Sequence, residues 1–345
     1  MNSQAVVGTR FLHVANGTCT TQIIESAGIP GRRSIWADPL YEGPVPGGLT
    51  DAALLQVRAR FLAGREKPDV SLAWSGPDAS LDPANDLGKW RSAIEDHGAY
   101  DELILWFEHD LFDQLNLVQL LTWIRERVPS AKAVSLVSVG SFPGHPAFKG
   151  LGELAPDELA SLLDRRQGVS EEQYAVAMRA WDAFRASTPE ALDDLRRGNT
   201  EALPFLAAAI GRFLQEYPWA GDGLSRTERR LLELAADRGA NLATAFSRMH
   251  EGEDVYYVTD TSLAALAEGL CRTSPPLLMF APGGGAQSGG LHGSVTLTDA
   301  GRAVMNARQD RVALCGIDRW LGGVHLQGVE NVWRWDDARR RVVRA

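Results

Sequence analysis

Four short apolar runs punctuate the first 150 residues, and each empties into a polar, acidic or glycine-rich cluster. Apolar runs of this length alternating with helical patterns mark strands covered on both faces of a parallel sheet. "RFLHVAN" reads as the first strand, and Gly17-Thr18 then opens a helix through "TTQIIESAG" that stops at Gly28. "RRSIWAD" is the second strand. Thr50 is placed to cap "DAALLQVRARFLAG", which ends at Gly64. Residues 64–88, rich in Pro, Asp and Gly, read as a long loop, with a helix expected over 89–97. "ELILWF" is the third strand, its helix runs to about Arg127, and "KAVSLVSVG" is the fourth.

From Pro156 to Tyr217 the pattern turns helical, punctuated by Pro189, Pro204 and Pro218. A further unit opens at "GLSRTERRLLELAADR", where Ser225 and Glu228 form a capping-box signature. "PPLLMF", a Gly-rich connector at 282–293 and "GSVTLTDAGRAVMNAR" then give strand, turn, strand and helix. The expected fold class is α/β, with an open, mainly parallel Rossmann-like sheet. Three regions are expected: an α/β domain over 1–150 that carries the site, a helical linker or subdomain over 151–220, and a winged-helix-like α+β domain with a C-terminal β-hairpin over 221–345.

A chain of 345 residues suits two or three domains, and 45% hydrophobic with 23% charged residues is enough apolar material for a core. The start "MNSQAVVGTRFLHVANG" has no long apolar stretch behind a basic cluster, which argues against a secretory signal. No apolar run reaches the ~18 residues of a membrane span. Cys19, Cys271 and Cys315 are odd in number and far apart, which suits a reducing cytoplasm better than disulfides or a zinc site. The net charge of −9 disfavours nucleic acid as a partner. Residues 221–345 are neutral, with 15 Lys+Arg against 15 Asp+Glu. The crowding of Arg339, Arg340, Arg341 and Arg344 reads as a solvated basic tail that leaves room for an anionic partner.

In an open parallel sheet, ligands sit beyond the carboxyl ends of the strands, where helix N-termini also converge. The first strand end offers Asn16, Gly17, Thr18 and Cys19; the second Asp38, Tyr41 and Glu42; the fourth Ser141 and His145. The third offers Glu108, His109 and Asp110, with Asp113 and Gln114 one helical turn on. Glu108, His109 and Asp110 are the candidate catalytic residues. Asn16, Gly17, Thr18, Asp38, Glu42, Gln114 and Ser141 are the candidate substrate-binding residues. An Asp at an N-cap and another at N3 are also ordinary helix starters, and for Asp110 capping is the simpler reading. His109 divides evenly between site and structure. Asp38, Glu42, Glu108 and His109 offer oxygen and imidazole ligands for a divalent metal, but no HxxxH or HxxE spacing supports one, so metal and cofactor stay unassigned. Neither GxGxxG nor GxxxxGK[ST] follows the first strand. As a nucleophile Cys19 would gain from a helix N-terminus, yet a small buried residue is the simpler reading.

The blocks "HVANGTCT", "WADPLYEGPVP" and "LWFEHDLFDQLNL" resemble the bacterial proteins of domain-of-unknown-function family 1835 over roughly the first 150 residues. "LPFLAAAIGRFLQEYP", "GLSRTERRLLEL" and "GIDRWLGGVHLQG" resemble the C-terminal region of its long members. The resemblance implies no activity. Where that family commonly has an acid or Ser after the first Gly, this chain has Thr18 and Cys19.

Two functions compete. The first is a cytoplasmic enzyme, hydrolase or transferase, acting on a small polar and anionic molecule. Glu108 or His109 would be general acid or base, Asp38 and Glu42 would orient the substrate, and the 17–20 turn would hold an anion. The alternative is a ligand-sensing transcriptional regulator with a winged-helix DNA-binding domain. Its recognition helix, expected near "LATAFSRMH", carries one Arg and one His, with Glu251, Glu253 and Asp254 close behind. A DNA-reading helix normally sits in more positive surroundings. The winged-helix-like part therefore reads as a packing or oligomerisation module, which leaves a homo-oligomer open and favours the enzyme.

Overall fold

The computed structural model describes residues 9–65, 74–75, 82–236, 239–282 and 290–344. Residues 66–73 and 76–81 of the expected 64–88 loop, and 283–289 of the expected connector, lie outside the described residues. The chain is mixed α/β and divides into two compact units. One takes residues up to 40, 85–182 and 200–206; the other takes 41–84, 183–199 and the chain from 207.

In the first unit the elements run β1 (Phe11–Ala15), α1 (Thr18–Ser26), β2 (Arg32–Ile35), α2 (Pro83–Glu95), β3 (Glu102–Glu108), α3 (Leu111–Arg127), β4 (Ala133–Val139), α4 (Pro156–Leu163) and β5 (Gln167–Gly168). The five strands form one sheet in the order β2-β1-β3-β4-β5. The first four are parallel, and β5 joins β4 antiparallel. The helix expected over 89–97 starts earlier, at Pro83. Proline suits the first helical turn, where its missing N–H costs nothing, so the Pro-rich run that read as loop is partly a helix start.

β3 is buried from Leu103 to Glu108, as a strand covered on both faces must be. Alternation sends Ile104 and Trp106 to one face, where they join Ala15, Ile24, Val137, Leu151 and Leu159 in one apolar cluster. No residue of α3 belongs to that cluster, so α3 covers the opposite face with Leu103, Leu105 and Phe107. The one polar group buried within β1 is His13, whose Nδ1 accepts from Trp106 Nε1 at 3.1 Å. That leaves Nε2 to carry the proton and donate to the Pro30 carbonyl, also at 3.1 Å.

The second unit contains helix Asp51–Arg65, begun by Thr50 as its capping position suggests: Ala53 N–H donates to Thr50 Oγ1 at 3.3 Å. Helix Arg226–Ala235 opens with the expected reciprocal box between Ser225 and Glu228. Strand Ala240–Asn241, helix Leu242–Met249, helix Asp260–Cys271 and strands Leu278–Ala281 and Ser294–Leu297 follow. Ser294–Leu297 lies between the other two strands, antiparallel to both. Near the C-terminus, Ile317–Gly322 and Val324–Gly328 form a hairpin, and Gly43–Pro44 pairs in parallel with Leu321–Gly322. The hairpin turns on Gly322-Gly323, where a Cβ at Gly323 would lie 2.0 Å from the Arg185 carbonyl oxygen. Trp333–Asp336 and Arg341–Arg344 form a second hairpin. No helix among the described residues is long and apolar enough to cross a membrane.

Candidate functional site

Between β1 and β3 the strand order reverses: the chain leaves β1 for β2 on one side and returns to β3 on the other. In open α/β sheets this switch point opens the crevice where ligands bind. Ala15 pairs with Trp106, so Asn16 leaves β1 beside the last turns of β3, which ends on Glu108.

Glu108 shares the parity of Ile104 and Trp106, so its side chain follows theirs towards the face of α1 and α4. It is 5% exposed. Its Oε1 accepts from the Leu151 backbone N–H, and its Oε2 lies 3.3 Å from Asn16 Nδ2. A Cβ at Gly150 would sit 2.5 Å from that same Oε2, so the carboxylate fills the space a side chain would need. Asp113 is fully buried: Oδ1 accepts from the Glu108 backbone N–H at 2.6 Å and Oδ2 from Asn16 Nδ2 at 2.5 Å. Asp110 caps α3, its Oδ1 accepting from the Asp113 N–H at 2.8 Å. Gln114 Nε2 donates to the Glu108 carbonyl at 2.6 Å, which holds the strand end on α3.

Ligand atoms of Glu108, Asp110 and Asp113 all lie within 4.8 Å of one another. Among the described residues, no Lys or Arg forms an ion pair with any of the three. Burial, reinforced by the negative charge of Asp110, pushes the Glu108 carboxyl up to about 8. Burial raises Asp110 to about 6, opposed by its hydrogen bonds with Asp113 and by His109. Asp113 is raised well above its ordinary range by burial and by both neighbours. Three such groups share their protons, and the titration belongs to the trio.

The remaining candidates divide. His109 is half-buried, stacked on Phe148 at 6.3 Å with Phe205 edge-on at 6.1 Å. Asp38 is buried, and Asn116 grips its peptide at both ends: Asp38 N–H donates to Asn116 Oδ1 at 3.0 Å, and Asn116 Nδ2 donates to the Asp38 carbonyl at 2.9 Å. Trp36, two residues before it, donates to Gln119 Oε1 at 2.8 Å. Gly17 is the N-cap of α1 and supplies no side-chain acceptor, while Thr18 opens the helix on its exposed side. Ser141 is exposed. Glu42 belongs to the second unit, where its carbonyl accepts from Arg58 at 2.6 Å. Cys19 is not the small buried residue expected: Thr20 and Ile24, four apart, turn inward and leave Cys19 exposed.

Gly150 and Leu151 are the residues that sequence reasoning passed over; Asp113 stood at the third strand end but read as a helix starter. The Asp-x-x-Asp spacing at 110–113 was its one signal, and Gly150-Leu151 carried none. No protein-family model matches the chain, and no curated protein matches it in sequence.

Proposed function

We propose that the first unit holds the active site of an enzyme, a hydrolase or transferase, acting on a small polar and anionic molecule at the carboxyl ends of β1 and β3. The observation that carries this reading is the trio Glu108, Asp110 and Asp113, buried together at the switch point with no Lys or Arg paired to it. Burying carboxylates without a counter-charge costs several kcal/mol each, and a chain under selection for stability alone would fill the place with apolar side chains. Buried acids with raised pKa in a ligand crevice are what proton-transfer chemistry uses. Glu108, protonated at neutral pH, is the general acid. Asn16 orients it through the contact it shares with Asp113. The N-terminus of α1, with Gly17 leaving its first amides uncapped by a side chain, receives the anionic group. The reading rests on this geometry, since the family resemblance carries no activity.

A second reading of the same three residues is favoured by their spacing. Carboxylate oxygens within 4.8 Å of one another suit a hard divalent cation, which would balance the charge in place of a proton. Thermal melts of the full chain separate these possibilities. Phe107→Ala, at a fully buried position, is expected to lose ~3–5 kcal/mol. Glu108→Gln and His109→Asn are expected to melt near the wild type; if both fall as far as Phe107→Ala, the residues are structural and the enzyme reading fails. A saturable rise in melting temperature with Mn²⁺, lost in Glu108→Gln, selects the cation; no response selects the proton.

We also propose that residues 221–310 of the second unit form a winged-helix-like module that packs or oligomerises and does not read DNA. The order helix, strand, helix, helix, three strands and a helix supports the first part. The charges support the second. Helix Leu242–Met249 carries Arg248, and Glu251 and Glu253 follow it closely. Helix Asp260–Cys271 begins on Asp260, contains Glu268 and has Arg272 only at its C-cap.

A further inference from the structure

The second unit contains a cavity of about 320 Å³, inside the ~300–1,000 Å³ range of small-molecule sites. Arg212, Arg226, Arg229, Arg230, Trp219 and Tyr256 line it. Arg226, Arg229 and Arg230 sit at i, i+3 and i+4 of helix Arg226–Ala235, so one helical face presents all three guanidinium groups. Trp219 lies under Arg229, with the guanidinium carbon 5.4 Å from its ring centroid.

Glu233, Glu251, Glu253 and the exposed Asp337 line the cavity too, and their placement decides its character. Glu253 is half-buried and shared between Arg212 and Arg226, so its oxygens are already taken by two cations. Asp222, behind the wall, pairs with Arg229. Glu233 and Glu251 are 46% and 61% exposed beside Arg230, at the rim, where water weakens their field. Arg229 Nε is buried without a hydrogen bond among the described residues, and so is Oδ2 of Asp222, the acid it pairs with. Tyr256 is 7% exposed, and its hydroxyl makes no hydrogen bond among the described residues. A phenol O–H without an acceptor beside the guanidinium groups of one cavity suits a ligand that brings oxygen acceptors.

We propose that this cavity binds a small oxyanion-bearing molecule, a carboxylate or phosphate compound, with Arg226, Arg229 and Tyr256 as its donors. The inference does not depend on the chemistry of the first unit. Isothermal titration of the full chain with succinate and with inorganic phosphate, at matched ionic strength, tests it. Saturable binding of one molecule per chain by either probe, with a dissociation constant below ~1 mM, is expected. The probe that binds distinguishes the carboxylate from the phosphate source. Arg226→Gln is expected to weaken binding at least ~10-fold, since charge-assisted hydrogen bonds are the strong ones. Tyr256→Phe guards against misfolding: its hydroxyl makes no hydrogen bond among the described residues, so the melting temperature should stay while affinity falls. Silence from both probes overturns the proposal, and so does binding that both variants leave unchanged.

Discussion

Two buried titratable groups pull the stability of the first unit in opposite directions with pH. Glu108 is an acid whose folded pKa, about 8, lies above the ~4.3 of an unfolded glutamate. Between those values the native state holds the extra proton, so this stabilising contribution is full at low pH and is lost as pH rises towards 8. His13 is a base that burial shifts downward, so the native state binds fewer protons than the unfolded chain. Its contribution is present above ~6.5 and is lost as pH falls below that. Below ~6.5 the two contributions change in opposite directions; above it only the Glu108 loss remains, so stability should fall from there towards pH 8. Asp110 and Asp113 share this limb, so Glu108→Gln removes part of it: at pH 9 the variant should melt at least ~2–4 °C above the wild type, corresponding to roughly 1 kcal/mol or more. At about pH 4, below the unfolded value, the two should nearly coincide. Equal slopes for both proteins from pH 6 to 9 would show that Glu108 ionises freely.

At the scale of elements, the sequence and the structure agree where a local signal exists. The apolar runs became β1, β3 and β4, Asp110 caps α3, and Ser225 boxes with Glu228 because each of these is decided by periodicity or by neighbours within a turn. Asn16 could be placed at a strand end, but its grip on Asp113, 97 positions away, depends on the β1–β3 pairing that no local pattern encodes. The clamp of Asn116 on the Asp38 peptide and the bed that Gly150 provides for Glu108 were illegible for the same reason. The two short helices of the second unit carry a prediction of their own. With Glu251, Glu253, Asp260 and Glu268 beside Arg248 and Arg272, neither favours a phosphate backbone. Fluorescence anisotropy with mixed duplexes at low salt should show no submicromolar binding; tight, salt-sensitive binding would restore the regulator reading.

Taken whole, the chain passes between its two units five times. The apolar cluster beneath Glu108 draws Leu151, Leu154, Leu159 and Leu162 from beyond residue 150, and the Leu151 N–H is itself a partner of Glu108. A fragment ending at residue 150 should therefore lack a cooperative thermal transition by circular dichroism, whereas the full chain should show one. A sharp transition in the fragment would show that the sheet is stable without those leucines. The pairing of Gly43–Pro44 with Leu321–Gly322 has a consequence for synthesis. The early strand leaves the ribosome long before its partner exists, and Val45 N–H has to wait for the Gly322 carbonyl. The pairing is thus complete only once the segment that carries Leu321 and Gly322 has been made. A polypeptide released too soon leaves that edge, and the helix behind it with Leu54 and Ala59, open to the chaperones and proteases that bind unfinished chains.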